Sequence, residues 1–423
     1  IVGYSMIEPT ISFLPGIDPY VLADPLQVTA AQRPARFLRV EKAVSQPDED
    51  LRDIDNTAFG VSTFFGMKEI VGYSMIEPDG SVMMKVPANT ALNISIVDEN
   101  AMRITQRHFN WIQAAAGQEI TCNGCHDANS GLSHGRDDAF DSAYAGAQTA
   151  GVEFPNTDPQ WFVGEVGETM AEVRARITCA SDSCSSIEPS MNVLYTDVWS
   201  ANPLDANGDP INPDINYSYT ALTTASPTSI ACATNWQAQC RAVINYETII
   251  HPLWSVSRIE TFDDDNDPMT PEVPVLDGNG NPIDNACTGC HTAIDPVLMV
   301  PQVPAGQLEL TDGLSIDEPD HFHAYRELLV TDNLQELQGG MLVDATQVIG
   351  QDADGNDILA PIPIAPPATI IGARASSDFF DRFYDPNDQN HFNILSGAEL
   401  RLIAEWLDVG AQYYNNPFDA PAN

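Results

Sequence analysis

Basic residues are scarce in this sequence. Eighteen lysines and arginines stand against 60 aspartates and glutamates, which gives a formal net charge of −42 at pH 7. Such an acidic excess repels DNA, RNA and anionic lipid at ordinary salt, so a nucleic-acid partner is not expected. Solubility in a salty or exposed setting explains the acidity more simply than a dedicated docking surface for a basic partner.

Long apolar runs and familiar catalytic motifs are also missing. No stretch of about 18 uninterrupted apolar residues occurs, so no transmembrane segment is expected. The chain starts at Ile1 without a basic, apolar leader, and we expect a mature or truncated product whose export signal is not in view. No Ser-His-Asp motif, Walker loop or metalloprotease motif is found.

Cysteines are few, but their spacing is informative. Four of the eight fall in two C-x-x-C-H units, CNGCH at 122–126 and CTGCH at 287–291, where composition alone would give about 0.003 such units. In c-type haem sites the two thiols attach the porphyrin and the adjacent histidine ligates the iron. A zinc knuckle would need four ligands at close spacing, so the sequence predicts two haem c groups. The haem-binding residues are Cys122, Cys125, His126, Cys287, Cys290 and His291, of which His126 and His291 ligate the iron.

The other cysteines fit an oxidising compartment, which is also where haem is attached covalently. Cys179 and Cys184 bracket one short loop, and Cys232 and Cys240 bracket another. Three connectivities are possible, of which the two local disulfides are favoured.

Each predicted haem has several candidate distal ligands. For the first haem, His108 precedes CNGCH in an aromatic segment and His134 follows it in a Ser-Gly loop, which favours His108 slightly. For the second haem, His391 stands in the loop before a helix whose start is marked by the capping box Ser396 and Glu399. Met341 and His251 are the alternatives; a methionine would raise the reduction potential.

The organisation of the chain changes near residue 110. Alternating apolar and polar positions, as at 81–86 and 92–96, predict strands, whereas helical spacing recurs at 168–177, 322–329, 379–384 and 399–413. We expect an α+β fold: a β-rich, sandwich-like module over 1–110, then mainly helical, loop-rich haem regions. The first of these covers 111–240 with the disulfide-bearing loops, and a cytochrome c-like domain covers 241–423.

Two further patterns are open to interpretation. The nonapeptide IVGYSMIEP occurs at 1–9 and again at 70–78, as expected of a recent duplication, a strand reused for pairing or an error in the assigned start. Asp-rich loops occur around 205–209, 263–267, 277–281 and 352–357. They lack the EF-hand spacing and its closing Glu, so tight turns are expected there and calcium is the weaker interpretation.

Residues 70–127 resemble the haem-bearing module of proteins related to the hydrazine synthase alpha subunit. The matching pattern is EPDGS, VPA, DEN, GQE and then C-x-x-C-H. The C-terminal half, with INYETIIHPLW (244–254), CTGCH and AEWLDVGAQYYNNPF (404–418), resembles the cytochrome c region of related exported bacterial proteins.

The resemblance implies a β-rich part followed by two haem c sites, the second with two histidine ligands. It implies proximal ligands at His126 and His291 and strengthens His391 as a distal ligand. The enzyme's tyrosine near the first iron has no counterpart here, where Ser130 stands in that region. Its β-propeller is also absent, so hydrazine chemistry is not transferred.

These observations favour an exported dihaem c-type cytochrome that transfers electrons between redox partners. Two histidines, or histidine and methionine, would ligate each haem. One alternative is a haem enzyme with an open first site that acts on a small nitrogen compound or oxidant. The other is a subunit of a polymeric extracellular filament, whose partners are copies of itself. Periplasm, outer surface and medium are all compatible with export from a bacterium.

Overall fold

The computed structural model describes residues 2–6, 24–105, 107–108, 111–123, 147, 151–159, 163–180, 183–184, 186–262 and 272–421. The chain divides into two compact units. The first comprises Ile1–Ser45, Lys68–Leu222 and Ser226–Val243, and the second comprises Gln46–Met67, Thr223–Ala225 and Ile244–Asn423. The three-domain division expected from the sequence stays a prediction. Within the described ranges, no helix has the length and apolar character needed to cross a bilayer.

Strands dominate the first unit. In chain order they are β1 (Val2–Met6), β2 (Phe37–Ala43), β3 (Lys68–Met75), β4 (Ser81–Lys85), β5 (Leu92–Val97), β6 (Ile120–Asn123), β7 (Val152–Glu153), β8 (Val163–Gly164), β9 (Cys179–Ala180), β10 (Ser183–Cys184), β11 (Val193–Tyr195) and β12 (Ile215–Tyr217). Its helices are α1 (Met170–Thr178) and α2 (Ile230–Thr234). The β-rich character of the N-terminal part is confirmed.

Two of the sheets in this unit have three strands each. In one, β2 lies between β3 and β5, and both pairings are antiparallel. In the other, β1 lies between β4 and β6, antiparallel to the first and parallel to the second. The two copies of the repeated nonapeptide therefore contribute strands to different sheets, β1 and β3. The sandwich arrangement stays a prediction.

The turn between β3 and β4 caps helix α1. The Asp79 carboxylate accepts hydrogen bonds from the backbone N–H of Met170 at 2.8 Å and from the backbone and hydroxyl of Ser81. Ser81 Oγ in turn accepts from Ala171 N–H. Asp79 is fully buried, and burial raises its pKa to about 6. One desolvated carboxylate thus joins the start of α1 to the turn between β3 and β4.

A buried charge cluster lies on the sheet of β2, β3 and β5. Glu41 Oε1 lies 3.1 Å from Arg39 Nε, and Glu41 Oε2 lies 3.4 Å from Lys68 Nζ. Ser95 donates a further hydrogen bond to Glu41. Burial opposes ionisation of Glu41, but Lys68 and Arg39 outweigh it and hold the pKa of Glu41 below its usual value.

Both expected local cysteine pairs lie within bonding distance. Cys179 is joined to Cys184 across the β9–β10 pairing, and Cys232 is joined to Cys240 after helix α2. Each bridge closes a short loop of the first unit, as the sequence spacing suggested.

The second unit combines short helices with β-ribbons. Its helices are α3 (Cys287–Cys290), α4 (His323–Leu329), α5 (Ser377–Tyr384) and α6 (Gly397–Val409). Its strands are β13 (Thr261–Phe262), β14 (Val273–Pro274), β15 (Asp332–Asn333), β16 (Gln335–Gln338), β17 (Met341–Asp344), β18 (Thr346–Gln351), β19 (Asp357–Pro361) and β20 (Pro363–Ile364).

The four helices expected from apolar spacing are confirmed, with ends shifted by a few residues. The mainly helical character expected of the C-terminal part stays a prediction; within this part, residues 332–364 form antiparallel ribbons that the sequence did not indicate. Gly339 and Gly340, both at positive φ, form the tight turn between β16 and β17.

Helix α6 is the core of the second unit. Ser396 and Glu399 form the expected capping box, and every residue from Ala398 to Val409 is buried. Gly410 ends the helix at φ 118°, and a Cβ there would meet Phe65 at 3.0 Å, so both conformation and space require glycine. Trp406, Tyr246, Tyr325 and Tyr413 pack their rings together in this core.

An N-terminal excursion completes this unit. Residues 46–67 lie between β2 and β3 in the sequence but belong to the second unit. There they contact residues more than 250 positions later. The carbonyl of Thr57 lies 2.7 Å from His321 Nε2, and Val61 N–H donates to the hydroxyl of Tyr325 at 3.0 Å.

We predict that Asp79 makes the free energy of unfolding depend on pH. Its pKa is about 6 in the folded protein against a reference value of 3.8, so the folded state binds the extra proton between these values. Stability should therefore fall by about 3 kcal/mol as the pH rises from about 4 to about 6. Asp79→Asn should remove this slope in urea titrations at each pH.

Asp205→Asn, in an exposed turn, is the matched control and should keep the slope of the wild type. An identical slope in Asp79→Asn would contradict the assignment.

Candidate functional site

The CTGCH segment forms a single helical turn of its own. Cys287 and Cys290 lie at the two ends of α3, and His291 follows, its N–H donating to the Cys287 carbonyl at 2.9 Å. Neither thiol is in a disulfide. Burial raises the pKa of Cys287, so this thiol is protonated at neutral pH. The turn therefore presents two thiols and one imidazole within five residues.

His291 is held through its Nδ1 atom. This nitrogen lies 3.1 Å from the Leu308 carbonyl oxygen, to which its proton is donated. Burial lowers the pKa of His291, which keeps the imidazole neutral. A neutral imidazole with Nδ1–H engaged has its Nε2 lone pair available for a metal.

His391 lies against His291, with the ring centres 6.1 Å apart and the ring planes at 46°. It stands in the turn between α5 and α6, where Phe383 of α5 meets its ring edge-on. His391 is also held through Nδ1, which lies 3.0 Å from each carboxylate oxygen of Asp388.

Hydrogen bonding separates this pair from the other histidines of the second unit. His251, His321 and His323 each engage Nε2, with Asp312 Oδ1 at 2.7 Å, the Thr57 carbonyl at 2.7 Å and Glu327 Oε1 at 3.1 Å respectively. His291 and His391 instead engage Nδ1. The two histidines that face each other are thus the two with the bonding pattern of metal-bound imidazoles.

The spacing of the facing rings fits one metal ion between them. An imidazole nitrogen lies about 2.0–2.1 Å from a bound transition metal and its ring centre about 1.1 Å beyond, so two rings on one ion have centres about 6.2 Å apart. The described residues contain no group of three or more His, Cys, Asp or Glu that could hold a bare metal. A porphyrin supplies four nitrogens itself and leaves at most two positions for protein ligands, so these residues fit haem c.

Arg258 connects the elements around CTGCH. Its backbone N–H donates to Asp284 Oδ1 at 2.7 Å, and this carboxylate also accepts from Ala286 N–H, just before Cys287. Its guanidinium donates to the Leu253 carbonyl and to Glu399 Oε1, at 3.0 and 2.8 Å. Arg258 thus joins the entrance of CTGCH to the start of α6.

The other distal candidates for the second haem lie in different surroundings. His251 is buried, with its ring against Phe322 and its Nε2 near Asp312. Met341 is 66% exposed on β17. His391 is the expected ligand that the structure brings to His291.

The first predicted haem site falls largely outside the described residues. Cys125, His126 and His134 are not among them. Cys122 lies in β6, opposite Ser5 of β1 in the parallel pairing. His108 is half-buried, and its carbonyl accepts a hydrogen bond from the Asn93 side chain. The ligand set of this site stays a prediction.

Three Asp-rich loops are tight turns. Asp205, Asp277 and Asp352 each accept backbone N–H groups two and four residues later through one carboxylate oxygen, at 2.8–2.9 Å. These backbone hydrogen bonds lower the pKa of Asp205 and Asp277, whereas the pKa of Asp352 is lowered first by the side-chain amide of Asn356 and then by the backbone. The carboxylates are used to close turns, as expected. The loop at 263–267 lies outside the described residues.

Sequence reasoning missed the residues that hold the two histidines. Leu308 acts through its carbonyl and leaves no side-chain signal. Asp388 stands three residues before His391, a spacing that could have suggested the contact. Arg258 lies 141 positions from Glu399 in the sequence.

Comparison with known proteins gives a partial match. Residues 34–127 match the hydrazine synthase alpha subunit middle domain family, which confirms the resemblance seen from residue 70 onwards and extends it towards the N-terminus. A solved structure of Kuenenia stuttgartiensis hydrazine synthase aligns with all of this chain and 44% of its own, at 14% identity and a TM-score of 0.45. The chain therefore spans less than half the length of that protein. No curated protein sequence matches significantly.

We predict that Arg258 and Glu399 are energetically coupled. Their side chains are 11% and 8% exposed, so Arg258→Gln should leave a buried carboxylate unpaired and cost about 3 kcal/mol. Glu399→Gln should keep the capping box, because glutamine also serves at that position. In a urea-unfolding double-mutant cycle, we expect a coupling energy of at least about 1 kcal/mol. Strict additivity would mean that the two groups act independently.

Proposed function

We propose that this chain is an exported dihaem c-type cytochrome that passes electrons between redox partners. The observation that carries the proposal is the opposition of His291, the last residue of CTGCH, and His391, with Nδ1 of each engaged. Two strong axial ligands leave an iron no position for a substrate, which suits electron transfer better than catalysis. Bound haem would supply the one-electron ferric–ferrous couple.

The residues of the second unit have separate tasks in this proposal. Cys287 and Cys290 would attach the porphyrin covalently, and His291 and His391 would ligate the iron. Leu308 and Asp388 orient the two imidazoles. The buried aromatic core next to α6 keeps this part of the chain rigid, which limits rearrangement on electron transfer.

The first haem would be attached at Cys122 and Cys125 and ligated by His126. His108 is the favoured distal ligand and His134 the alternative. Export is supported by the covalent haem chemistry of both motifs and by the two disulfides, which persist in oxidising compartments. Donor and acceptor would be other redox proteins or further copies of this chain.

A second candidate function comes from the family match. Residues 34–127 resemble a domain of an enzyme, and the match ends just after CNGCH. In this alternative His126 would be the one protein ligand of the first haem, which would act on a small nitrogen compound or oxidant, while the second haem would deliver or remove electrons.

We predict that His391 ligates the second haem. The full chain, matured with a c-type haem assembly system, should carry two haems by pyridine haemochrome assay, and Cys287→Ala/Cys290→Ala should carry one. His391→Ala should convert one haem from low to high spin in electron paramagnetic resonance spectra and make it bind CO. His251→Ala is the matched control and should leave the spectra unchanged. A low-spin second haem in His391→Ala would refute the ligand assignment.

We predict that the first haem is also low-spin, with His108 as its distal ligand. His108→Ala should then make this haem high-spin and CO-reactive, whereas His134→Ala should not. If the wild-type first haem already binds CO or cyanide readily, and neither variant alters it, the enzyme alternative is favoured.

A further inference from the structure

The two facing histidines have unlike partners. His291 donates its Nδ1 proton to a neutral backbone carbonyl, that of Leu308. His391 donates to a carboxylate, and both oxygens of Asp388 lie 3.0 Å from the nitrogen. The side chains of Asp388 and His391 are 23% and 25% exposed, so this contact is shielded from most of the solvent. The pair is therefore chemically asymmetric.

The backbone fixes Asp388 in this position. Its N–H donates to the Asp385 carbonyl at 3.0 Å, at the end of α5. Its own carbonyl accepts from His391 N–H and Phe392 N–H, at 3.1 and 2.9 Å. One carboxylate oxygen also accepts from Asn390 N–H at 3.3 Å. Asp388 and His391 thus belong to one closed turn, which keeps their backbones adjacent.

A carboxylate on Nδ1–H changes the properties of the imidazole. It fixes the tautomer and ring orientation, and it makes Nε2 a stronger donor because the Nδ1 proton is drawn towards the anion. A more basic axial ligand and a nearby negative charge both stabilise ferric over ferrous iron. A backbone carbonyl exerts a weaker effect, since it carries no net charge.

We propose that Asp388 is a positioning residue that lowers the reduction potential of the second haem by acting through His391. This inference rests on the proposed function, because it requires His391 to ligate that haem. The two ligands would then differ in role: His291, bonded to the Leu308 carbonyl, would hold the iron next to CTGCH, and His391, bonded to Asp388, would tune the ferric–ferrous couple. The second haem is then poised to give up its electron readily.

Asp388→Asn tests the proposal with little change in shape. Asparagine retains an oxygen that can accept the Nδ1 proton, so the turn should persist while the charge is removed. We expect the equilibrium constant for reduction of the second haem to increase about tenfold, an upward shift of about 59 mV for one electron, in potentiometric titrations of the full dihaem chain. The redox transition whose potential changes in His391→Ala is assigned to the second haem.

Two further variants distinguish an effect on the potential through His391 from the effect of losing any negative charge in this turn. Asp385→Asn removes a carboxylate from the same turn without touching His391, and its potential should stay near the wild-type value. Asp388→Glu restores the charge and should recover at least half of the shift. The second haem of the Asp388→Asn variant should also bind CO more readily. A weaker hydrogen bond to His391 Nδ1 weakens metal ligation about 10–100-fold.

Equal potentials and equal CO binding in Asp388→Asn and Asp385→Asn would overturn the proposal while leaving the ligand assignment intact. A second haem that is not low-spin in the wild type would instead refute the proposed function. Should Asp388→Asn fail to fold, Asp388→Ser, which also removes the charge, takes its place with the same expected upward shift and the same Asp385→Asn control.

Discussion

The contact between the imidazole rings of His291 and His391 brings distant parts of the second unit together. His291 is fixed by a helical turn of four residues and by a carbonyl seventeen positions later, whereas His391 is fixed by a turn between two helices a hundred residues further on. The ring centres stay 6.1 Å apart only if α5, α6 and the CTGCH turn keep fixed positions relative to one another. Arg258 and Glu399 supply one link between them, and the capping box at Ser396 sets where α6 begins.

The sequence was sufficient for those parts of the site that depend on local pattern. C-x-x-C-H spacing predicted the turn at 287–291, and the capping box predicted the start of α6 and, through it, the loop that carries His391. The partners of the two histidines could not be predicted in the same way. A carbonyl such as that of Leu308 has no identity in the sequence, and Arg258 meets Glu399 across 141 positions.

The fold shows the same division between local and distant signals. Strands at 81–85 and 92–97 and the helices with clear apolar spacing were predictable. The ribbons at 332–364 were missed because their exposed strands bury little and so lack the alternation that marks a half-buried sheet. The cluster of Glu41, Arg39 and Lys68 was equally hidden, since charged residues are normally read as exposed, and only their mutual pairing makes burial tolerable.

The excursion at 46–67 has a consequence for the order in which the protein can be completed. The Thr57 carbonyl and its histidine partner are separated by 264 positions. Contacts of such long range close slowly, because the intervening chain must first be organised. The unit that carries CTGCH therefore combines an early and a late part of the chain, and its late part alone lacks the partners that residues 46–67 supply. During synthesis its first segment emerges early and stays incomplete until almost the whole polypeptide has followed.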